Sequence, residues 1–450
     1  MKHPRVLLAG TSSGSGKTTA VCAVLSLLKR RGIAVRACKC GPDYLDPTFH
    51  ETVTGVPCAN LDPFFCDGNL LRDLLHENAG ERLTVIEGVM GYYDGTGETG
   101  IDNSTYTVAE QTQTPVVLVV DAKGASTSLL AQIEGFLRYV PQSNIAGVLF
   151  NRITPMTYRN LCGKMTDRFG DRVLPVGYLP ELPEDCRIPS RHLGLVAATE
   201  IADVAQRMER IASLCEQTIE IDRLIAVADT ACDLTFRAPD IPKLGTVSIA
   251  AAKDQAFFFY YRDTWRLLEK MGATIRTFSP LANEPLPAGC SGLLLGGGYP
   301  ELYAERLEKN EIAKESVARA IRSGMPTIAE CGGFQYLGTL LEGKKMCGVL
   351  PHESFAAGKL VRFGYVTLTS KKDGLFGKAG TVLRGHEFHY WDSTEPGSDF
   401  TARKQTGKEW DCAVTTETLY AGYPHLYLYA SLPAAEAFYR KCLTYQEKQS

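Results

Sequence analysis

The chain has no apolar run that could cross a bilayer. A helical span needs about 20 consecutive apolar residues, and the run at 116–120 (VVLVV) is typical of what is here. There is no basic excess either. Lys and Arg number 48 against 51 Asp and Glu, a formal net charge of −3, so nothing electrostatic favours nucleic acid or an anionic membrane as a partner. Fourteen cysteines are present, but there is no Cys-x-x-Cys and no zinc-type Cys/His spacing, and the closest pair is Cys38-Lys39-Cys40. A structural zinc is therefore not expected, and most of these cysteines read as reduced, buried small hydrophobes. The opening MKHPRVLLAG holds too short an apolar stretch for a secretory signal. The expected location is the cytoplasm. No internal repeat is visible.

What is present fits an ordinary globular protein. Of 450 residues, 44% are hydrophobic and 22% charged, enough apolar material for roughly two to four domains. Short β-type runs at 6–9, 85–86, 116–120, 145–150 and 173–176 alternate with helix-period stretches such as 18–31 (TTAVCAVLSLLKRR), which is followed by Gly32 as a C-cap. Strands of this kind, apolar on both faces, predict a parallel sheet covered by helices. Two prolines break the pattern in 229–245 (DTACDLTFRAPDIPKLG). A second alternation follows, with TVSIAAA as a strand, FFFYYRDTWRLLEKMG as a helix ending at Gly272, and ATIRTFSP as a strand. The expected fold is α/β in two domains, 1–228 and 246–440, joined by the linker 229–245.

The first chemical signal is GTSSGSGKTT, between a strand and a helix. A phosphate loop needs that setting, because loop amides and the helix N-terminus converge on an anion. The usual spacing is Gly, four residues, then Gly-Lys-Ser/Thr. Here Thr11 stands where the first glycine is expected, and the glycine is one place earlier, at Gly10. Thr11, Gly14, Ser15, Gly16, Lys17, Thr18 and Thr19 are the candidate nucleotide contacts, with Lys17 for phosphate charge and the Thr18 hydroxyl for Mg²⁺. The alternative is a Gly/Ser turn before a helix. Carboxylates for the metal are offered by CKCGPDYLDPTFH, with Asp43 and Asp46, and by VIEGVMGYYDG, with Glu87 at a strand end and Asp94 seven residues on. Asp121 also ends a strand, and a helix N-cap is an equal reading for it.

These residues resemble dethiobiotin synthetase and its relatives, which use ATP to activate a carboxylate. The resemblance implies that Lys17, Thr18, Asp43 and Glu87 handle phosphate and Mg²⁺. It also implies that Asn151, in IAGVLFNR, meets the adenine.

The second signal is TIAECGGFQYL. Cys331 follows an apolar strand and precedes Gly332-Gly333 and a helical run, the setting of a nucleophile elbow. The helix N-terminus is expected to lower the thiol pKa, and backbone amides to hold an oxyanion. A buried structural cysteine is the alternative. His425, in GYPHLYLYAS, is the candidate base, while GHEFHYW offers His386, Glu387 and His389 as an alternative set.

The run from KDQAFFFYYRDTW through LLLGGGYPELY, IAECGGFQYL and GHEFHY to YPHLYLYAS is similar to the glutamine amidotransferase domain of the cobalamin-pathway amide synthetases. Both domains in this order resemble the cobyrinate a,c-diamide synthase family across nearly the whole chain. That resemblance implies Cys331 as nucleophile towards glutamine, His425 as its base, and Gly297, Gly298 and Gly332 around the oxyanion. It implies a corrinoid tetrapyrrole acid as substrate, ATP and L-glutamine as co-substrates, and Mg²⁺ as cofactor. It further implies that Tyr44, Leu45, Asp46 and Asp94 meet the corrin, docked in the cleft between domains, and it leaves a homodimer open. One departure stands out. Triad amidotransferases carry His-x-Glu, but here His425 is followed by Leu426 and Tyr427, so only a Cys–His dyad is legible. A nickel-sirohydrochlorin a,c-diamide synthase shares these motifs. A regulatory P-loop ATPase with a degenerate tail would instead carry an early loop lysine or a membrane-targeting helix, and neither is visible.

Overall fold

The computed structural model describes residues 3–80, 82–97, 100–186, 190–191, 194–195 and 204–449. The chain divides into two compact units, Met1–Pro239 and Asp240–Ser450. Among the described residues no helix is long and apolar enough to cross a membrane.

The first unit alternates strand and helix: β1 (Arg5–Gly10), α1 (Lys17–Arg30), β2 (Val35–Cys40), α2 (Leu45–Thr54), β3 (Cys58–Leu61), α3 (Gly68–Ala79), β4 (Leu83–Glu87), α4 (Thr105–Gln111), β5 (Val116–Asp121), α5 (Ser128–Arg138), β6 (Ile145–Asn151), α6 (Pro155–Phe169) and β7 (Leu174–Leu179). A short ladder of β8 (Ser190–Arg191) and β9 (Gly194–Leu195) precedes α7 (Val204–Cys215) and α8 (Ile221–Asp229). The seven long strands form one sheet in the order β3-β2-β4-β1-β5-β6-β7, and every pairing is parallel. All six residues of β1 and all five of β4 are buried, as expected for strands covered on both faces. Parallel strands bring their C-terminal ends to one edge, which gathers Gly10, Lys39 and Glu87 there. Leu8 pairs with Glu87 across β1–β4 and Lys39 pairs with Glu87 across β2–β4.

Helix α1 shows how this unit packs. Ala20, Val21, Cys22, Ala23, Val24, Leu25, Leu27 and Leu28 are all buried in it, so nearly the whole helix circumference meets apolar neighbours. It ends at Arg30 because the chain turns left-handed at Gly32 (φ +72°), where the Ile33 amide donates to the Leu28 carbonyl at 3.0 Å.

The second unit contains β10 (Val247–Ala252), α9 (Arg262–Met271), β11 (Ala273–Phe278), β12 (Gly292–Leu295), α10 (Ala304–Lys309), α11 (Glu311–Arg322), β13 (Thr327–Glu330) and α12 (Gly332–Leu337). Then come β14 (Leu340–Leu341), β15 (Lys344–Lys345), β16 (Glu353–Ala356), β17 (Arg362–Ser370), β18 (Val382–His389), β19 (Trp391–Ser393), β20 (Phe400–Arg403), β21 (Glu409–Cys412), β22 (Val414–Thr415), β23 (Leu419–Gly422), β24 (His425–Leu426) and α13 (Leu432–Gln449). The main sheet runs β11-β10-β12-β13-β23-β22, parallel except for β22. An antiparallel sheet, β21-β20-β17-β18-β24, lies in the same unit.

One expected element is corrected. The helix predicted over 257–272 begins only at Arg262. The amides ahead of it are taken by other partners: Asp254 Oδ1 accepts from Ala256 and Phe257 at 2.8 and 3.2 Å. Phe258 and Phe259 both donate to the Gly297 carbonyl, at 2.9 and 3.0 Å. Phe259 forms an antiparallel bridge with Gly297, extended backbone that a helix cannot share, so FFFYY becomes a wall beside Gly297.

Candidate functional site

The loop after β1 explains its displaced glycine. A Cβ on Gly10 would lie 2.3 Å from Ser15 Oγ and 2.9 Å from Lys17 Nζ, so only glycine lets the lysine fold back across the strand end. Thr11 tolerates a side chain, and its amide is tied to the Val119 carbonyl at 3.3 Å. Gly16 is left-handed (φ +91°) at the N-cap of α1, with a Cβ there 2.2 Å from Asn151 Nδ2. Asn151 donates that amide to the Ser15 carbonyl at 2.9 Å and thereby braces the loop. Gly14 is exposed, and Thr18 and Thr19 are half-buried. Ser15 Oγ is buried with no hydrogen-bond partner among the described residues.

Lys17 is buried and reaches the carbonyls of Ser12 at 3.2 Å and Met90 at 2.5 Å. Burial, then the charge of Lys39, pushes it down to about 8. An anion seated in the loop would reverse that shift.

Glu87 lies at the centre of the next cluster and is fully buried. Thr18 donates to its Oε1 at 2.6 Å and Lys39 to the same oxygen at 3.0 Å. His50 Nε2 bonds Oε2, and the other ring nitrogen of His50 is 3.2 Å from Cys22 Sγ. Burial opposes ionisation of Glu87, but Lys39 and His50 outweigh it and hold the carboxyl well below its ordinary range. For His50 burial is likewise outweighed, by the Cys22 sulfur and the Glu87 carboxylate, and its pKa rises. Lys39 also pairs with Asp46.

The candidate substrate residues separate. Asp43 Oδ1 accepts from the amides of Leu45 at 2.8 Å and Asp46 at 3.2 Å, which caps the start of α2 and leaves Oδ2 for other partners. Tyr44 is half-buried, while Leu45 and Asp46 are buried. Asp94 is exposed and accepts from the Gly91 amide at 2.8 Å. Asp121 neither caps a helix nor joins the cluster, because it pairs with Arg152.

His50 carries no label in its motif, yet its position gave a signal. On a helix Asp46 and His50 stand four residues apart and share a face. That face points at Lys39 and Glu87.

In the second unit Cys331 is buried and sits at φ +50°, ψ −105° between β13 and α12. A non-glycine residue with positive φ is costly and concentrates at functional turns. Its pKa corrects the expectation of a lowered thiol. Burial, then Glu301, pushes it up, and the Gly332 amide only partly opposes them. The following helix has six residues, too short to overcome burial beside Glu301, Glu330 and Glu387. Burial here favours the thiol over the thiolate, so a nucleophilic role would call for a base.

The glycines expected around an oxyanion lie at the same place. A Cβ on Gly332 would be 3.2 Å from the Gly298 amide nitrogen, and one on Gly297 would be 2.4 Å from His425 Cε1. Gly297 thus touches the histidine, and Gly298 touches the residue after Cys331. His425 Nδ1 is 3.6 Å from Glu330 Oε2, and Glu330 Oε1 accepts from the Leu426 amide at 3.0 Å. The alternative GHEFHY set is brought close. His386 is the cross-strand partner of His425 but is pushed down to about 3 by burial and the His425 charge. His389 stacks on Tyr423 at 4.0 Å and places Nδ1 2.6 Å from the Trp391 carbonyl.

Two family models match the chain, one in each unit. Residues 6–196 match the family described as the CobQ/CobB/MinD/ParA nucleotide binding domain, and 248–432 match the CobB/CobQ-like glutamine amidotransferase domain. A cobyrinate a,c-diamide synthase from Listeria monocytogenes is 39% identical over 441 residues, covering 95% of this chain and 97% of that protein. One from Thermoplasma volcanium is 36% identical and covers 100% and 99%. One from Salmonella typhimurium is 37% identical, with 95% coverage of each. The chain belongs to the cobyrinate a,c-diamide synthase family. Each family region contains one cluster: the loop, Glu87 and Asn151 in the first, Cys331 and His425 in the second.

Proposed function

We propose that this chain amidates the a- and c-acetate carboxylates of cobyrinic or hydrogenobyrinic acid, with ATP and glutamine as co-substrates. The observation that carries this reading is coverage: relatives of that name align over 95% or more of the chain, so both clusters fall in one colinear protein.

Carboxylates do not condense with ammonia in neutral water, since the amine merely deprotonates the acid. In the first unit a substrate carboxylate oxygen attacks the γ-phosphorus of ATP, ADP leaves, and an acyl phosphate forms. Lys17 and the amides of the 11–19 loop hold the phosphates. Asn151, besides bracing Ser15, lies at the strand end where the adenine is expected. A hydroxyl and a carboxylate 2.6 Å apart, Thr18 and Glu87, suit a hard cation that otherwise takes phosphate oxygens and water. Asp43 adds Oδ2. Mg²⁺ bound there would neutralise charge on the transferring phosphoryl group. Of the residues proposed to meet the corrin, Asp94 is exposed and Tyr44 half-buried, while Leu45 and Asp46 are buried and Asp46 pairs with Lys39.

In the second unit Cys331 Sγ attacks the glutamine side-chain carbonyl as His425 takes its proton. The Gly298 and Gly332 amides, with the Gly297 wall, receive the oxyanion. The proton passes to the departing ammonia, and water hydrolyses the thioester to glutamate. Ammonia then displaces phosphate from the acyl phosphate.

Incubation with ATP, Mg²⁺ and glutamine, with cobyrinic acid, hydrogenobyrinic acid or nickel-sirohydrochlorin supplied separately, tests this by product mass. Diamide from either corrinoid is expected. Turnover of nickel-sirohydrochlorin alone would contradict it.

A further inference from the structure

The orienting partner that a Cys–His pair needs is missing from the sequence two residues after His425. Tyr427 stands there, and its hydroxyl bonds Asp263 Oδ2 at 3.2 Å, so it presents no carboxylate to the imidazole. The structure supplies one from the other direction. Glu330, the last residue of β13 and the one before the nucleophile, has a side chain only 13% exposed, with Oε2 3.6 Å from His425 Nδ1. Its other oxygen is fixed by the Leu426 amide at 3.0 Å. One carboxylate is therefore anchored to the backbone next to the histidine and aimed at the ring.

We propose that Glu330 is the positioning residue of the glutaminase site. It holds His425 with Nδ1–H towards the carboxylate and Nε2 towards the Gly297 wall. The inference rests on the reading of Cys331 and His425 given above. The ring orientation agrees with the glycine contacts, since Cε1 and Nε2 are the His425 atoms closest to a Cβ at Gly297, at 2.4 and 3.2 Å. When the Cys331 proton moves to Nε2, the resulting imidazolium sits against the Glu330 carboxylate, which the Leu426 amide holds in place. Two other groups near His425 supply no carboxylate: His386 across the strand, which burial and the His425 charge push down to about 3, and Phe259, whose ring centroid is 6.1 Å away. Burial, then Glu301, holds the Cys331 thiol well above its ordinary range, and Glu330 adds a smaller push in the same direction.

Glu330→Gln separates charge from scaffolding, because its amide oxygen can still accept from Leu426. Three readouts apply: glutaminase kinetics, amidation with high ammonium, and the pH profile of Cys331 alkylation by iodoacetamide. The expected result is a glutaminase kcat lowered roughly 10- to 100-fold, with glutamine KM nearly unchanged. The acid limb of the alkylation profile should move about one unit lower, because the imidazolium has lost a favourable charge. Amidation from ammonium should stay within about twofold of the wild type, and Glu330→Asp should partly restore kcat. Unchanged kcat and an unchanged acid limb would overturn the proposal, and so would equal loss of ammonium-dependent amidation, which marks a purely structural role. Cys331→Ala run alongside separates the two levels: if it keeps glutaminase activity, the reading of the site itself has failed.

Discussion

At the residue scale, the second site depends on how closely backbone approaches side chain. Gly297 has no room for a methyl group beside His425 Cε1, 2.4 Å from its Cβ position. Gly297→Ala must displace the imidazole by more than half an ångström, and misplacement of a catalytic group on that scale costs on the order of 100-fold. Steady-state assay should show glutamine-dependent amidation reduced by about that factor, with ammonium-dependent amidation preserved. Comparable loss of both would mean that the substitution unfolds the wall instead. Residue types at this site were legible in the sequence, because an ECGG turn after an apolar run has few other uses. The ionisation of Cys331 was not. The expected helix effect is outweighed by burial and by Glu301 and Glu387, which arrive from distant segments that no local pattern connects.

At the element scale, helix α2 joins the two halves of the first cluster. Its capped start carries Asp43 to Asp46, and one turn later His50 meets Glu87. Asparagine and aspartate cap helices about equally well, and alanine loses about 1 kcal/mol. Asp43→Asn should therefore keep the urea midpoint of the wild type, whereas Asp43→Ala should lower stability by about 1 kcal/mol. Both should raise the Mg²⁺ concentration needed for half-maximal activity, because both remove the Oδ2 charge. An unchanged Mg²⁺ requirement in the asparagine variant would reduce Asp43 to a cap. The same region shows where element prediction stops. Strands β1, β5 and β6 are continuous apolar runs, so periodicity finds them. Strand β2 (VRACKC) and β3 (CANL) do not read that way, since Lys39 is buried only because Asp46 and Glu87 neutralise it. Likewise FFFYY suits a helix by composition, and long-range bonds from its amides to the Gly297 carbonyl decide otherwise.

At the scale of the whole molecule, three histidines in separate places make stability depend on acidity in one direction. Burial, then Arg5, pushes His3 down to about 4. Burial pushes His352 down to about 4, partly offset by a backbone bond to Phe334. Burial and His425 push His386 down to about 3. In the unfolded chain each titrates near 6.5, so below that pH the unfolded state binds more protons. The contribution of these three histidines is then full above pH 6.5 and is lost as pH falls towards 4, by at most about 1.4 kcal/mol per pH unit for each well-buried one. His352 stacks on Phe334 at 4.0 Å, a place phenylalanine can fill. His352→Phe should therefore show a shallower fall of thermal midpoint between pH 6.5 and 4 than the wild type. An identical slope would remove His352 from the account.

The central claim is that one chain divides the chemistry, with the Lys17 loop activating the acid and Cys331 providing the nitrogen. Amide-¹⁵N glutamine given with ATP, Mg²⁺, cobyrinic acid and unlabelled ammonium tests it by product mass. Wild type should yield diamide enriched in ¹⁵N, Cys331→Ala the same diamide without label, and Lys17→Ala no amide from either source. Labelled diamide from Cys331→Ala, or any diamide from Lys17→Ala, would contradict the account.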